Sequence, residues 1–307
     1  MEFSHSKVAF NRHESFSLRF GWLTKGFKAF QDSPDFFSTP DAVVQLGVGK
    51  NMVNSIRHWL RAAQLIEINN DEKRVTHIGK AIFDRERGYD PYLEDEATIW
   101  LIHWLLATNP IHATSWYWFF NRFHKPEFTS QEVYTALLDF SQENITGKYS
   151  VNSIKNDSAV LLRTYVQSRG NTKIPAEEAL DSPLSLLKLI TYTKATKTYQ
   201  SRLTRRDGLP IGILGFALAD LFMQRKIKEI SMEDLVYSYD GHVAPGPIFR
   251  LSENDLIAKL EELVYYLPNI FKTSDSSGIH QLYLLQDIDP LIYIDAHYKA
   301  QQQGKTA

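Results

Sequence analysis

Residues 47–75 read GVGKNMVNSIRHWLRAAQLIEINNDEKRV. Gly47-Val48-Gly49 is a tight turn. The spacing of Met52, Val53, Ile56, Trp59, Leu60 and Ala63 predicts a helix from about Lys50 to Ala63 with one buried face. Its other face carries Lys50, Asn51, Asn54, Arg57, His58 and Arg61. Leu65-Ile66-Glu67-Ile68, the polar run Asn69-Asn70-Asp71-Glu72 and Lys73-Arg74-Val75-Thr76 then read as strand, turn, strand. Upstream, Thr39 suits an N-cap and Pro40 the first helical position. They predict a shorter helix with Val43, Val44 and Leu46 as its apolar face. A short helix through Phe83 closes the unit, so residues 39–83 read as a winged helix-turn-helix.

A helix presented by such a turn fits the major groove of B-DNA. Asn51 and Asn54 are placed to reach adenine edges, Arg57 and Arg61 to reach guanine or phosphate, and Lys73 and Arg74 extend the cationic surface along the wing. The competing interpretation is a winged helix used for protein contact, with a solvated polar face.

Before this module, Val8-Ala9-Phe10 suggests a short strand and Leu18 to Phe30 a helix, broken by Ser33-Pro34. After it, Ile99 to Leu106 and Trp116 to Phe123 predict two apolar, aromatic-rich helices. Residues 127–190 repeat the first layout in outline, with helices capped at Thr129 or Ser130 and at Ser150. Residues 229–290 repeat it again: caps at Ser231 and Ser252, a loop from Gly241 to Pro247, and strands at 270–272 and 281–284 joined across Ser274–Gly278. The second helix of this last copy carries Glu253, Asp255, Glu261 and Glu262 and should repel phosphate. The expected fold is mainly α with small β-hairpins: winged helix-turn-helix modules joined by an aromatic-rich helical middle. The expected divisions are 1–85, 86–190 and 191–307.

The 307 residues suggest about two domains. A hydrophobic fraction of 43% and an aromatic fraction of 13% supply packed cores and exclude global disorder. With a net charge of −2, DNA binding must come from local patches rather than a uniformly basic coat. The absence of cysteine excludes disulfides, thiolate-bound metal, iron–sulfur clusters, a cysteine nucleophile and a persulfide. The N-terminus lacks a signal-peptide core, and the run Ile99–Leu106 is too short to span a bilayer. A cytoplasmic protein without membrane contact is expected.

Lys194, Lys197, Arg202, Arg205 and Arg206 crowd one short stretch, which suits a loop tracking phosphates, with Tyr199 able to stack on a base. Asp90, Glu94, Asp95 and Glu96 with His103 are candidates for a Mg²⁺ or Mn²⁺ site that would activate water for phosphodiester cleavage. Capping of the following helix explains the same acids without a metal. His13 is a candidate base oriented by Glu14, although neighbouring strand side chains point to opposite faces, which favours structural pairing. Gly47-Val48-Gly49-Lys50 is too short for a phosphate-binding glycine loop, and no serine lies in a nucleophile elbow.

His13-Glu14-Ser15-Phe16, Trp22-Leu23-Thr24-Lys25-Gly26, Leu46 to Val53 with Ile56-Arg57 and Trp59-Leu60, Asp90 to Asp95, and Leu161 to Tyr165 form a set. With this set the chain resembles a bacterial domain-of-unknown-function family found beside reductase-like sulfur-activation genes in phage-defence islands. The family's best-known setting is the B component of the Ssp type of DNA phosphorothioation. The resemblance covers most of the chain. It implies a protein acting on double-stranded DNA beside sulfur-transfer and reductase-like ATPase subunits, nicking one strand so that sulfur can enter the backbone. It carries no catalytic motif over residue by residue. Two other functions stay open: a non-catalytic DNA-recognition subunit that recruits the sulfur-inserting partners, and a winged-helix transcription regulator.

Overall fold

Glycine and left-handed residues set the first boundaries. Asn11, Glu14 and Ser15 adopt φ of 55, 50 and 64°, so residues 11–15 form a tight turn, and the strand expected at 8–10 does not form. Gly21 (φ 76°) starts α1 (Trp22–Asp32), four residues later than the apolar spacing suggested. The computed structural model describes residues 3–69, 72–167, 182–238, 242–276 and 279–305.

α1 buries Trp22, Leu23, Phe27 and Phe30. A Cβ on Gly26 would stand 2.4 Å from Ile56 Cγ2 and 2.9 Å from Leu60 Cδ1, so this glycine lets α1 lie against the helix that carries those residues. α2 (Ala42–Leu46) is a single turn. Thr39 is not its cap, because the Thr39 hydroxyl donates backward to the Phe36 carbonyl at 2.8 Å. Nor is its apolar face the expected one. Ala42 and Leu46 are buried, whereas Val44 is 81% exposed. Gly47 (φ 65°) ends it. α3 (Lys50–Ala62) buries Val53, Ile56, Trp59 and Leu60 along its apolar stripe. β1 (Ile66–Ile68) and β2 (Lys73–Val75) pair antiparallel, Glu67 opposite Arg74. Asn70 and Asp71 of the expected turn lie outside the described residues. Thr76 caps α4 (His77–Phe83), its hydroxyl accepting from the Gly79 N–H at 3.0 Å.

α5 (Glu96–Ala107) is buried at every position after Glu96, so it runs through the core rather than over it. α6 (Thr114–Arg122) adds Trp116, Tyr117, Phe119 and Phe120, all fully buried. β3 (Glu127–Phe128) follows, then α7 (Ser130–Asn144), which opens on a capping box between Thr129 and Glu132. Ser150 caps α8 (Val151–Tyr165). β4 (Thr191–Thr193) and β5 (Thr198–Gln200) complete a three-stranded antiparallel sheet in the order β3-β5-β4.

The remainder repeats that order. α9 (Ile211–Arg225) is buried from Ile211 to Phe222. β6 (Glu229–Ser231), α10 (Met232–Val236) capped by Ser231, α11 (Pro245–Phe249) and α12 (Glu253–Tyr266) capped by Ser252 come next. Pro245 opens a helix where a loop was expected, as proline can at a first helical position. Of that loop, Gly241 lies outside the described residues. β7 (Phe271–Ser276) and β8 (Ile279–Leu284) form the expected hairpin, Phe271 opposite Leu284, in a sheet ordered β6-β8-β7; Ser277 and Gly278 of its turn lie outside the described residues. α13 (Leu291–Lys305) is the last element.

The fold is thus mainly helical with small antiparallel sheets. By its contacts the chain forms two compact units, Phe3–Phe119 with Lys125–Ser201, and Phe120–His124 with Arg202 onward. Among the described residues no helix is long and apolar enough to cross a membrane.

Candidate nucleic-acid interface

Because α3 sinks its apolar stripe against α1, its polar residues divide by depth. Lys50 and Asn51 at its start are exposed, and Asn54, Arg57, His58 and Arg61 are half-buried. Gly49 at the N-cap supplies no side-chain acceptor, and the first turn holds no acidic residue. The first N–H groups of α3 therefore face outward beside Lys50, an arrangement that favours negative charge.

The deeper residues do not project as a simple reading face. Arg61 turns back and donates from Nη2 to the Ile68 carbonyl at 3.2 Å, and the same nitrogen lies 3.5 Å from His112 Nε2. Burial, then the charges of Arg57 and Arg12, lower its pKa. The His58 ring lies 5.6 Å from that of Trp59 and 6.0 Å, edge-on, from that of His13. Burial holds the His58 pKa well below the usual histidine range, with the charges of His13, His112, Arg61 and Arg12 adding to the effect. Burial and then Arg61 push His112 down to about 4. Both imidazoles are neutral at neutral pH.

His13 is fully buried, and Glu14 does not orient it. Its Nδ1 accepts from the Ser15 N–H at 3.1 Å, so the ring proton sits on Nε2 and is donated to Asp157 Oδ1 at 3.0 Å. Asp157, on α8, also accepts from the Asn11 N–H and, through Oδ2, from the Ser115 hydroxyl at 2.6 Å. With both nitrogens engaged and the ring between Trp59 and Trp116, His13 is a lock for the 11–15 turn rather than a base. Asp157 stands 144 residues from His13, and no local pattern points to it.

The wing cations are already paired. Lys73 bonds Asp35, and Arg74 bonds Glu67 at 2.6 Å and lies 3.5 Å from Glu72. The basic stretch is not one loop either. Lys194 and Lys197 are exposed at the β4–β5 turn of one unit, whereas Arg202, Arg205 and Arg206 belong to the other. Arg205 pairs with Asp207 at 2.6 Å. Arg206 is half-buried, donating from Nε to the Arg250 carbonyl at 3.3 Å. Tyr199 stacks on Phe128 at 6.0 Å and meets Tyr192 at 4.7 Å, so a protein ring already covers it.

The acidic group caps a helix. Asp90 is buried, accepting the Glu94 N–H on Oδ1 at 2.8 Å and, on Oδ2, the Asp95 N–H at 3.1 Å and the Thr98 hydroxyl. Asp95 is the N-cap of α5, accepting the Ala97 N–H at 2.9 Å. His103 is fully buried, its Nδ1 2.8 Å from the Tyr165 hydroxyl. Glu94 and Glu96 are exposed. Both Asp90 oxygens and Asp95 Oδ1 are engaged by N–H and hydroxyl donors, and among the described residues no three histidine, aspartate or glutamate side chains come together as a metal site. This donor set does not fit a Mg²⁺ or Mn²⁺ centre.

Two solved structures, described as "Magnesium ion-bound SspB crystal structure" and "SspB crystal structure", each superpose with a TM-score of 0.82 at 28% identity over 97% of this chain and 88% of theirs. No curated protein matches the sequence. The model of the family described as "Protein of unknown function (DUF4007)" matches residues 10–298, and the chain belongs to that family.

Proposed function

We propose that this member of the family is the DNA-recognition component of an Ssp-type DNA phosphorothioation system, with double-stranded DNA as its ligand and sulfur-transfer and reductase-like ATPase subunits as its partners. On this proposal residues 39–83 are a winged helix-turn-helix and α3 enters the major groove. Lys50, Asn51 and Asn54 meet the duplex first, and Arg57 and Arg61 hold its backbone. The observation that carries the proposal is the start of α3: an uncapped, acid-free helix N-terminus with exposed Lys50 and Asn51. The likeness to the two SspB structures and the family membership support the system assigned. Lys194 and Lys197 are proposed as further backbone contacts; the wing contributes little, because Lys73 and Arg74 are already paired.

A second reading, nicking of one strand, is favoured by the magnesium ion in one of those SspB structures. No step through a metal is derived for this chain, because Asp90 and Asp95 are committed to helix capping. The deciding experiment is a gel shift on duplex DNA beside a supercoiled-plasmid assay with Mg²⁺, Mn²⁺ or EDTA. Binding that is equal in EDTA and produces no open circles supports the recognition component. Metal-dependent nicking that co-elutes with the protein establishes the nickase instead. No binding in any buffer refutes both. A transcription regulator would select a palindromic site as a symmetric dimer.

A further inference from the structure

Arg57 and Arg61 lie one turn apart on α3, so their side chains share a face. Two segments outside the helix converge on that face. The first is the 11–15 turn, locked by Asp157, which places exposed Arg12 next to His13, whose ring lies 6.0 Å from that of His58 on α3; the charge of Arg12 adds to the lowering of the Arg61 and His58 pKa values. The second is the loop before α6. Buried Asn109 donates from Nδ2 to the Ala62 carbonyl at 2.9 Å and to the Arg61 carbonyl at 3.3 Å, and its Oδ1 accepts the His112 N–H at 3.1 Å. One asparagine thus ties the end of α3 to the loop bearing His112. The three segments are fixed against one another before any ligand arrives.

Their charges are not balanced. Among the described residues neither Arg12, Arg57 nor Arg61 makes an ion pair with a carboxylate. Asp157 has both oxygens engaged by Asn11, His13 and Ser115. Five cations elsewhere, Lys73, Arg74, Lys125, Arg205 and Lys228, do have acidic partners. Three guanidinium groups that repel one another are stabilised by an anion with several oxygens, and the planar guanidinium fork matches phosphate. A neutral imidazole can add a hydrogen bond without adding charge.

We propose that Arg12, Arg57, Arg61 and His112, backed by His58, form a binding site for a single phosphate group. This deepens the backbone contact proposed above for Arg57 and Arg61, on which it rests, and brings in two residues, Arg12 and His112, from outside the helix. Taken with the function proposed above, the group is a phosphate of the DNA backbone; a free phosphate ester offers the same chemistry.

The test has two arms, run on the full-length protein and on Arg12→Ala, His112→Gln and, as a control at an exposed lysine, Lys148→Ala, each checked for native circular dichroism. In the first arm, duplex affinity is measured across a salt series by fluorescence anisotropy. Arg12→Ala and His112→Gln are expected to weaken binding on every duplex sequence. Arg12→Ala should lose about tenfold at moderate salt and lower the salt-dependence slope by about one. In the second arm, inorganic phosphate is titrated in a thermal-shift assay. It should raise the melting temperature of the native protein and of Lys148→Ala, but not of Arg12→Ala. Effects in both arms place a backbone phosphate in the site. A phosphate effect without a DNA effect assigns the site to a free phosphate ester. If the native protein binds no duplex, the function proposed above falls while the second arm still judges the site. If Arg12→Ala and His112→Gln match the native protein in both arms, the site is refuted.

Discussion

Asp157→Ala tests the lock beneath the interface. The carboxylate is fully buried and accepts three hydrogen bonds: from the Asn11 N–H, the His13 imidazole and the Ser115 hydroxyl. Removing it leaves the buried His13 and Ser115 donors and the part-buried Asn11 N–H without their acceptor. Deleting one member of a buried charged network costs about 3–5 kcal/mol, and each orphaned polar group accounts for about 1–3 kcal/mol of that. At about 2–4 °C per kcal/mol, a loss of ~4 kcal/mol lowers the midpoint of the unit that holds Asp157 by about 8–16 °C. The assay is thermal melting and urea unfolding of the native protein, Asp157→Ala, His13→Ala and the double variant. The two single changes should be strongly non-additive, because either one dissolves the same contact. Released from Asp157, the 11–15 turn should also lose its hold on Arg12, so duplex affinity falls in a variant whose substitution lies within the core. A loss of stability under about 1 kcal/mol, or strictly additive single changes, would refute the lock.

Arg57→Ala should weaken duplex binding about tenfold with little change in melting temperature, whereas Arg61→Ala should lower both affinity and stability, because it also removes the bond to the Ile68 carbonyl. Lys73→Ala, its cation already held by Asp35, should leave the gel shift unchanged. His58 and His112 are held neutral in the fold, whereas the unfolded chain protonates them near pH ~6.5. Their contribution to stability is therefore complete above that pH and is lost as the pH falls toward about 4, the value for His112. Urea midpoints at pH 7.5 and 5.0 should fall further in the native protein than in His112→Gln, and an equal fall would contradict the assignment. Gly26→Ala should destabilise by about 1–3 kcal/mol despite alanine's better helix propensity, because its Cβ meets Ile56 and Leu60. A rise in melting temperature would show that the helices can part at little cost.

What could be read in the sequence was what neighbours in the chain decide. The stripe Val53, Ile56, Trp59 and Leu60 gave α3 to within a residue, and Ser150, Ser231 and Ser252 stand at the helix starts where their hydroxyls cap N–H groups. β3 and β6 escaped notice because strands of two and three residues are too short to show an alternation. The site was harder for a different reason. Charge along the sequence says how many cations a stretch has, not which are already matched, and Lys73, Arg74 and Arg205 are matched. His13 with Asp157, and Arg61 with His112, are joined only by tertiary folding across 144 and 51 residues.

The same order of elements with different charges argues for a division of labour. Strand, helix, helix, then two strands with the first strand paired to the last occurs as β3-α7-α8-β4-β5 and again as β6-α10-α11-α12-β7-β8, α11 being an added turn. The residues 39–83 module has the two helices and the hairpin without the first strand. If all three are winged helices, the helix in the reading position is α3, α8 or α12. α3 offers Lys50, Arg57 and Arg61, and α8 offers Lys155 and Arg163, with Arg163 donating to the Ser15 carbonyl. α12 has a single cation, Lys259, which is buried and donates to the Leu209 carbonyl at 3.1 Å. Its charged outer surface is therefore only acidic, with Glu253, Glu261 and Glu262 exposed and Asp255 half-buried and accepting the Arg206 N–H. A helix with that face repels a duplex and suits a basic protein surface, so on the function proposed above the third module is expected to meet a partner subunit and the first to meet DNA. Replacing Glu261 and Glu262 with lysine should then leave duplex binding by the first module intact and weaken co-purification with the partner subunits. Loss of duplex binding alone would overturn this division.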